Sequence, residues 1–255
     1  MIINYIYKGS WLFLISLIFL FYKTSLANNF QNTHNLYGVP GILDMPSAGS
    51  FSDGTFSFTS SKFGPTLRNV LSFQALPNVF GAFRYTGIGD KKYYYHESGY
   101  TSWDRSFDLR IDLLKEKKLI PSVTMGYQDV IGTGNYSAEY IVASKSLKNF
   151  RATAGIGWGR LSTQNQIVKN KSRPRSGGGS FGGLLRFPSM YKGNIGLFGG
   201  IEYNTPINGL IAKAEISSDS YEMDGMYILE STLSNISKLN YGLSYTLSPN
   251  FNASS

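Results

Sequence analysis

The sequence predicts an all-β protein, an antiparallel transmembrane β-barrel of about 10–12 strands or the first part of a larger barrel. Three observations carry this. An apolar run from Trp11 to Phe21 follows Lys8 and precedes the small-residue pattern Ser25-Leu26-Ala27, which is the layout of a secretory signal peptide. Beyond it, helical periodicity nearly vanishes while Tyr (18), Phe (17) and Gly (28) are abundant, a mix that suits strands and turns. Two-residue alternation then recurs in stretches of about 9–12 residues, the length with which a tilted strand crosses a bilayer.

The leader is expected to span residues 1–27 and to be cleaved after Ala27, because its apolar core is shorter than the roughly 20 residues a membrane-spanning helix needs. Residues 28–53, with Gly38, Pro40, Gly41 and Pro46, form an extended, turn-rich lead-in expected on the periplasmic side. It could plug a barrel, contact a partner or stay unstructured. Residues 54–255 form the barrel region. Strands are expected at roughly 54–63, 68–76, 79–88, 105–116, 119–130, 136–148, 150–161, 180–187, 194–205, 209–219, 225–233 and 239–247.

The clearest is Phe107-Asp108-Leu109-Arg110-Ile111-Asp112-Leu113, where one face is apolar and the other charged, so the strand divides two different surroundings. Leu71, Phe73 and Ala75 oppose Ser72 and Gln74 in the same way, and Tyr241, Leu243, Tyr245 and Leu247 oppose Gly242, Ser244 and Thr246. Short connections such as Leu76-Pro77-Asn78 and Lys148-Asn149 alternate with the long segments 89–104 and 162–179, as the two ends of a membrane barrel do. Trp103, Tyr127, Tyr136, Tyr140, Trp158 and Tyr203 lie near strand ends and suit aromatic girdles at the membrane interfaces. A periplasmic β-sandwich would also alternate, but would leave charges on its inward side.

Two of the eight net positive charges, Lys8 and Lys23, fall in the leader, which leaves +6. That modest excess sits in loops and gathers on no single element, so no nucleic-acid partner is expected. The absence of cysteine excludes a disulfide framework and a lipid-modified N-terminal cysteine. The glycine runs at 155–159 and 177–183 lack the order of a phosphate-binding loop.

Several stretches resemble the YjbH family of outer-membrane exopolysaccharide biosynthesis and export proteins. They are Tyr37 to Ala48 with Asp53 to Phe56, Arg68 to Pro77, Asp104 to Leu109, Leu119 to Gly134 with Ser137 to Lys145, Gly155 to Leu161, and Phe198 to Tyr221. The resemblance runs in family order through most of residues 37–250. It implies an outer-membrane β-barrel in Gram-negative cells that assists exopolysaccharide or capsule biosynthesis or export and is not an enzyme. Its partners would be outer-membrane lipid, exopolysaccharide and other assembly proteins of the same pathway. Family members are much longer, so the barrel region is expected to be incomplete at its C-terminus.

No catalytic, cofactor-binding or metal site is expected. His34 and His96 stand in loops with no cysteine to complete a metal set. Asp108 and Asp112 could pair as acid and base of a glycosidase, but alternation with Arg110 fits a self-neutralising ladder better. Arg84, Asp108, Arg110, Asp112, Glu139, Glu202, Lys213 and Glu215 are the expected lumen-lining polar set, hydrating and bracing the interior or guiding a polar polymer. Tyr93, Tyr94, Tyr95, Tyr100 and Trp103 could stack on sugar rings at the outer mouth or anchor at the interface. Two readings follow: a passive route for exopolysaccharide, or a structural, adhesin-like surface barrel with a closed interior. A truncated fragment without function is a third.

Overall fold

The computed structural model describes residues 30–64, 66–91, 100–174, 184–185, 187–221, 224, 237–248 and 251–254. Among the described residues thirteen strands form one antiparallel sheet. They are β1 (Phe56–Phe63), β2 (Thr66–Leu76), β3 (Val79–Lys91), β4 (Tyr100–Leu114), β5 (Ser122–Gly132), β6 (Ala138–Leu147), β7 (Phe150–Gly159), β8 (Gln166–Val168), β9 (Leu184–Leu185), β10 (Ile195–Asn204), β11 (Leu210–Ile216), β12 (Leu239–Ser248) and β13 (Phe251–Ser254). Neighbours in sequence are neighbours in space from β1 to β7, β7 pairs with β10, and the meander continues to β13; β8 and β9 lie off this path on β10 and β5. Among the described residues no ladder joins β1 to β13, so the sheet is not closed into a barrel.

The strands fall close to the expected positions. The longest correction is β4, which begins at Tyr100 rather than 105 because Trp103 and Tyr100 continue the ladder against Gly87 and Lys91 of β3. Of the expected strand at 180–187, Leu184–Leu185 form β9, and residues 180–183 and 186 lie outside the described residues, as do the expected strand at 225–233, the leader and Tyr93 to Tyr95. β8 arises inside the expected 162–179 loop, where Val168 pairs with Ile195.

The long strands alternate between a more buried and a more exposed face, and in β2 and β4 the polarity is the reverse of a water-soluble sheet. In β2, Arg68, Ser72 and Gln74 are buried while Leu67, Leu71 and Phe73 are exposed; in β4, Asp104, Ser106, Asp108 and Arg110 are buried while Trp103 and Phe107 are exposed. The two-residue period of a strand makes this division complete along its length.

The buried face is covered by residues 30–53. Val39 packs on Val70, Phe80 and Ala82; Tyr37 packs with Ile88 and Tyr136; Met45 and Ala48 pack with Tyr140, Val142, Leu161 and Phe198. One segment thus touches β2, β3, β6 and β10, so the sheet curls around it. Gly38 turns at φ +71, where a Cβ would lie 2.6 Å from the side chain of Val70. Only glycine meets both demands easily.

Candidate functional site

Charges concentrate where the sheet meets this segment. Arg84 grips Asp108 with both terminal nitrogens, at 2.9 and 3.2 Å, and the amide of Asp129 donates to the same carboxylate at 2.8 Å. Asp129 is placed by a bulge in β5, at φ +53. Arg68 donates to Asp224 at 2.7 Å, and Arg160 pairs with Asp219 and donates to Gln128. The three guanidinium groups surround the ring of Tyr37, at 4.3, 5.1 and 4.0 Å from its centre for Arg68, Arg84 and Arg160. Stripped of water, a cation over an aromatic face is attracted by the ring's quadrupole.

A second group of charges holds backbone. Arg110 donates to the carbonyls of Pro40, Ser47 and Gly49 at 2.7, 2.8 and 2.9 Å. Lys213 donates to Thr33 Oγ1 at 2.5 Å and the Ile42 carbonyl at 2.8 Å, and Arg151 donates to the Phe30 carbonyl at 3.0 Å. Glu215 does the opposite, accepting the amides of Leu43, Asp44 and Met45. The cause is elementary. Residues 30–53 form two isolated bridges, His34 to Pro40 and Gly41 to Pro46, and turn hydrogen bonds such as Leu36 to Leu43 and Ile42 to Met45, but no regular ladder, and most of these residues are buried. Buried amides and carbonyls need partners, and strand side chains supply those that the segment's own turns leave unmet, bases for carbonyls and an acid for amides.

Asp44, His34 and Tyr37 on the segment have altered ionisation, that of Tyr37 raised by burial. Burial first, and then the nearby Glu215 carboxylate, push Asp44 up to about 7. Its Oδ2 accepts the Tyr221 hydroxyl at 2.5 Å. Burial, with Lys213 and Arg110 nearby, pushes His34 down to about 4, so its ring, stacked on Phe51 at 4.3 Å, is neutral.

Of the expected polar set, Arg84, Asp108, Arg110, Glu202, Lys213 and Glu215 come together on the buried face, and Asp112 joins them half-buried, taking the hydroxyls of Ser50 and Thr124. Glu139 corrects the expectation. It alternates with inward Tyr140 and shares the outer face with Tyr127 and Trp158, its register partners. There Arg173 covers it through two bonds of 2.7 and 2.8 Å. The side chains on the buried face are also enclosed rather than open to solvent, since Arg84, Arg110, Glu202 and Glu215 are at most 2% exposed.

Tyr136 and Tyr140 are fully buried and so are no interfacial girdle. Tyr140 fills the space beside Gly126, and the Tyr136 hydroxyl donates to Asp224. Trp103 does face outward, stacked on Tyr85 with ring centres 4.6 Å apart. Tyr100 lies in β4, with its side chain outside the described residues. Arg68, Arg151, Arg160, Asp219 and Asp224 were not expected in the set. Arg68 and Arg151 were legible from alternation, whereas Asp219 and Asp224 follow the end of β11 and carry no periodic signal.

The outer face is a broad apolar belt. Phe56, Phe58, Leu71, Phe73, Phe107, Leu197, Ile201, Leu243 and Leu247 are all more than 40% exposed. A contiguous patch of this extent marks a surface for lipid or protein. Among the described residues no helix is long and apolar enough to cross a membrane, which bears only on helices.

The model of the YjbH family, described as exopolysaccharide biosynthesis protein YbjH, matches residues 33–255. The chain is 32% identical over 218 residues, or 82% of its length, to the uncharacterized lipoprotein YjbH of Escherichia coli (strain K12), and spans 31% of that protein's length. The word lipoprotein belongs to that relative; the 255 residues here contain no cysteine to take a lipid. No solved structure matches. The family match extends over nearly the whole described sheet and the segment inside it, and on that ground the chain belongs to the YjbH exopolysaccharide biosynthesis family.

Proposed function

We propose that the chain is the leading β-barrel portion of an outer-membrane protein that assists exopolysaccharide assembly or export without catalysing a step, its interior closed by residues 30–53. The observation that carries this reading is the inverted burial: charged side chains fully enclosed and leucines and phenylalanines outside. In water that arrangement exposes much of the apolar surface; in lipid it is the favoured one. The same reading requires the outer edges of β1 and β13 to be paired in the membrane, because unmet backbone groups in hydrocarbon cost several kcal/mol each. The family contributes the exopolysaccharide association.

Between the two roles drawn from the sequence, the filled interior favours a framing, non-conducting barrel over an open route through it. Arg110, Lys213 and Glu215 are committed to the backbone of residues 40–49, which argues against a charged ladder free for a sliding polymer.

The test is fractionation of cells expressing the full chain. Recovery in the outer membrane, migration on gels that shifts with heating, and less surface exopolysaccharide on deletion are expected. Full solubility without detergent would overturn the membrane reading, and unchanged polysaccharide would overturn the pathway role.

A further inference from the structure

At the long-loop end of the sheet a strap of chain crosses the outer face. Residues 169–173 run antiparallel to 192–194, continuing the pairing of β8 with β10: the Lys171 amide donates to Asn194 Oδ1 at 2.9 Å, and Arg173 donates to the Lys192 carbonyl at 3.3 Å. Glu139 pins the strap to the sheet. Its carboxylate takes both terminal nitrogens of Arg173 and, at 3.1 Å, the amide of Tyr191, while Arg173 also donates to Ser137 Oγ at 2.9 Å. Gly159 and Gly193 leave room for this, since a Cβ at either would lie 3.0 or 2.9 Å from the Arg173 side chain.

The strap sets bases beside aromatic rings. The Tyr191 ring stands edge-on to Trp158 and Tyr127, with ring centres 5.1 and 5.7 Å apart. Trp158 and Tyr127 are the register partners of Glu139 on the outer face, so the three rings mark the level where the apolar belt gives way to polar surface. Beyond them Lys169, Lys171 and Lys192 are exposed, and none of the three pairs with an acid among the described residues. Among the described side chains Glu139 is the acid on the outer surface of this end, and Arg173 already neutralises it. Unpaired bases held just beyond an aromatic girdle complement a layer of anionic headgroups.

The interior segment decides which leaflet the strap meets. Residues 30–53 enter and leave at the opposite end, where Arg151 at the start of β7 holds the Phe30 carbonyl and Asp112 near the end of β4 takes the Ser50 hydroxyl. Under the proposed membrane reading that end is periplasmic, which puts the strap at the cell surface. The surface leaflet of a Gram-negative outer membrane is built of a glycolipid that carries phosphates on its sugars, whereas the periplasmic leaflet is glycerophospholipid. We infer that the strap is a headgroup site for this phosphorylated glycolipid, with Lys169, Lys171 and Lys192 paired to phosphate and Trp158 and Tyr191 against the sugar. The inference rests on the membrane reading and goes beyond it, naming the lipid and its place on the sheet.

The test titrates the full chain in detergent by native mass spectrometry with three probes: bisphosphorylated lipid A, the same lipid A stripped of phosphate, and phosphatidylglycerol. Bisphosphorylated lipid A should bind more tightly than either of the others. Lys171→Gln combined with Lys192→Gln removes two exposed bases and should weaken that binding by about thirtyfold, roughly fivefold for each base. Lys115→Gln combined with Lys118→Gln, two exposed bases at the opposite end, should leave it unchanged. Heat-shifted gel migration equal to that of the unsubstituted chain checks that both double variants are folded. Equal binding of the stripped lipid A, a preference for phosphatidylglycerol, no binding of lipid A, or equal weakening by the two double variants overturns the inference. Recovery in the outer membrane and the effect of deletion on polysaccharide are independent readouts, so the site can fail while the proposed function stands.

Discussion

The carboxylate of Glu215 accepts the backbone amide of Asp44 at 3.0 Å, across 171 residues of sequence, and takes the flanking amides of Leu43 and Met45 as well. Three successive N–H groups converging on one anion form a concave donor site of the kind that binds phosphate in other proteins. Here the anion is internal, and it ties the segment 30–53 to β11, far along the chain.

Removing that anion should loosen the interior without dissolving the sheet. Hydrogen bonds to charged groups contribute about 1.5–3 kcal/mol each. Glu215→Ala should lower the temperature of the heat-induced gel shift and open residues 30–53 to protease, and Glu215→Gln should do so less. Equal protease resistance in all three proteins would show that the segment is held by its apolar contacts alone.

The Arg84–Asp108 pair has both partners fully buried. Breaking a buried pair from one side leaves an uncompensated charge and costs about 3–5 kcal/mol, whereas replacing both sides with apolar groups can be close to neutral. Arg84→Met and Asp108→Leu should therefore each destabilise the protein strongly in urea titrations in lipid vesicles, and the double variant should recover most of the loss. Additive losses would mean that each side chain acts through other partners, such as Tyr37 or the Asp129 amide.

With no native cysteine, single cysteines report cleanly on the two faces. Phe107→Cys, Leu197→Cys and Leu243→Cys should react with a lipid-soluble maleimide in membranes and resist a charged one. Ser72→Cys, Ser106→Cys and Ser244→Cys, all buried, should react with neither until the protein is unfolded. The reverse pattern would place the apolar face in a protein core.

Asp44 gives a pH dependence of definite sign. Its folded value, about 7, lies above the ordinary value near 4. The folded state therefore holds this proton more tightly. The stability this contributes is fully present below about pH 4 and is lost as pH rises towards 7. Relative to Asp44→Asn, the unsubstituted chain should lose stability across that window. His34, pushed down to about 4, acts in the opposite direction, its contribution falling as pH drops below its ordinary 6.5, and that dependence should remain in Asp44→Asn. A difference between the two proteins that is flat from pH 4 to 7 would contradict the ionisation assigned to Asp44.

Strand positions were legible because a period of two in side-chain polarity is a local property, so Phe107 to Leu113 revealed both of its faces without any neighbour. The inward placement of Arg84, Arg110, Lys213 and Glu215 followed from the same rule. The rule failed at Glu139, where Tyr140 is as large and as buried as any inward residue. Position along β6 is set by pairing with Gly126 and Gly157, and the sequence offered no way to choose between two adjacent candidates.

The amino-acid sequence by itself determined a meander of strands with opposed faces and membership of a recognisable family. Only the tertiary structure decided what occupies the charged face. Residues 30–53 have no periodicity because their backbone obeys no repeating geometry. Their hydrogen bonds are completed by side chains up to 180 positions away, Lys213 to Thr33 among them. Partners separated by that distance are chosen by the curvature of the whole sheet, which no window of sequence contains.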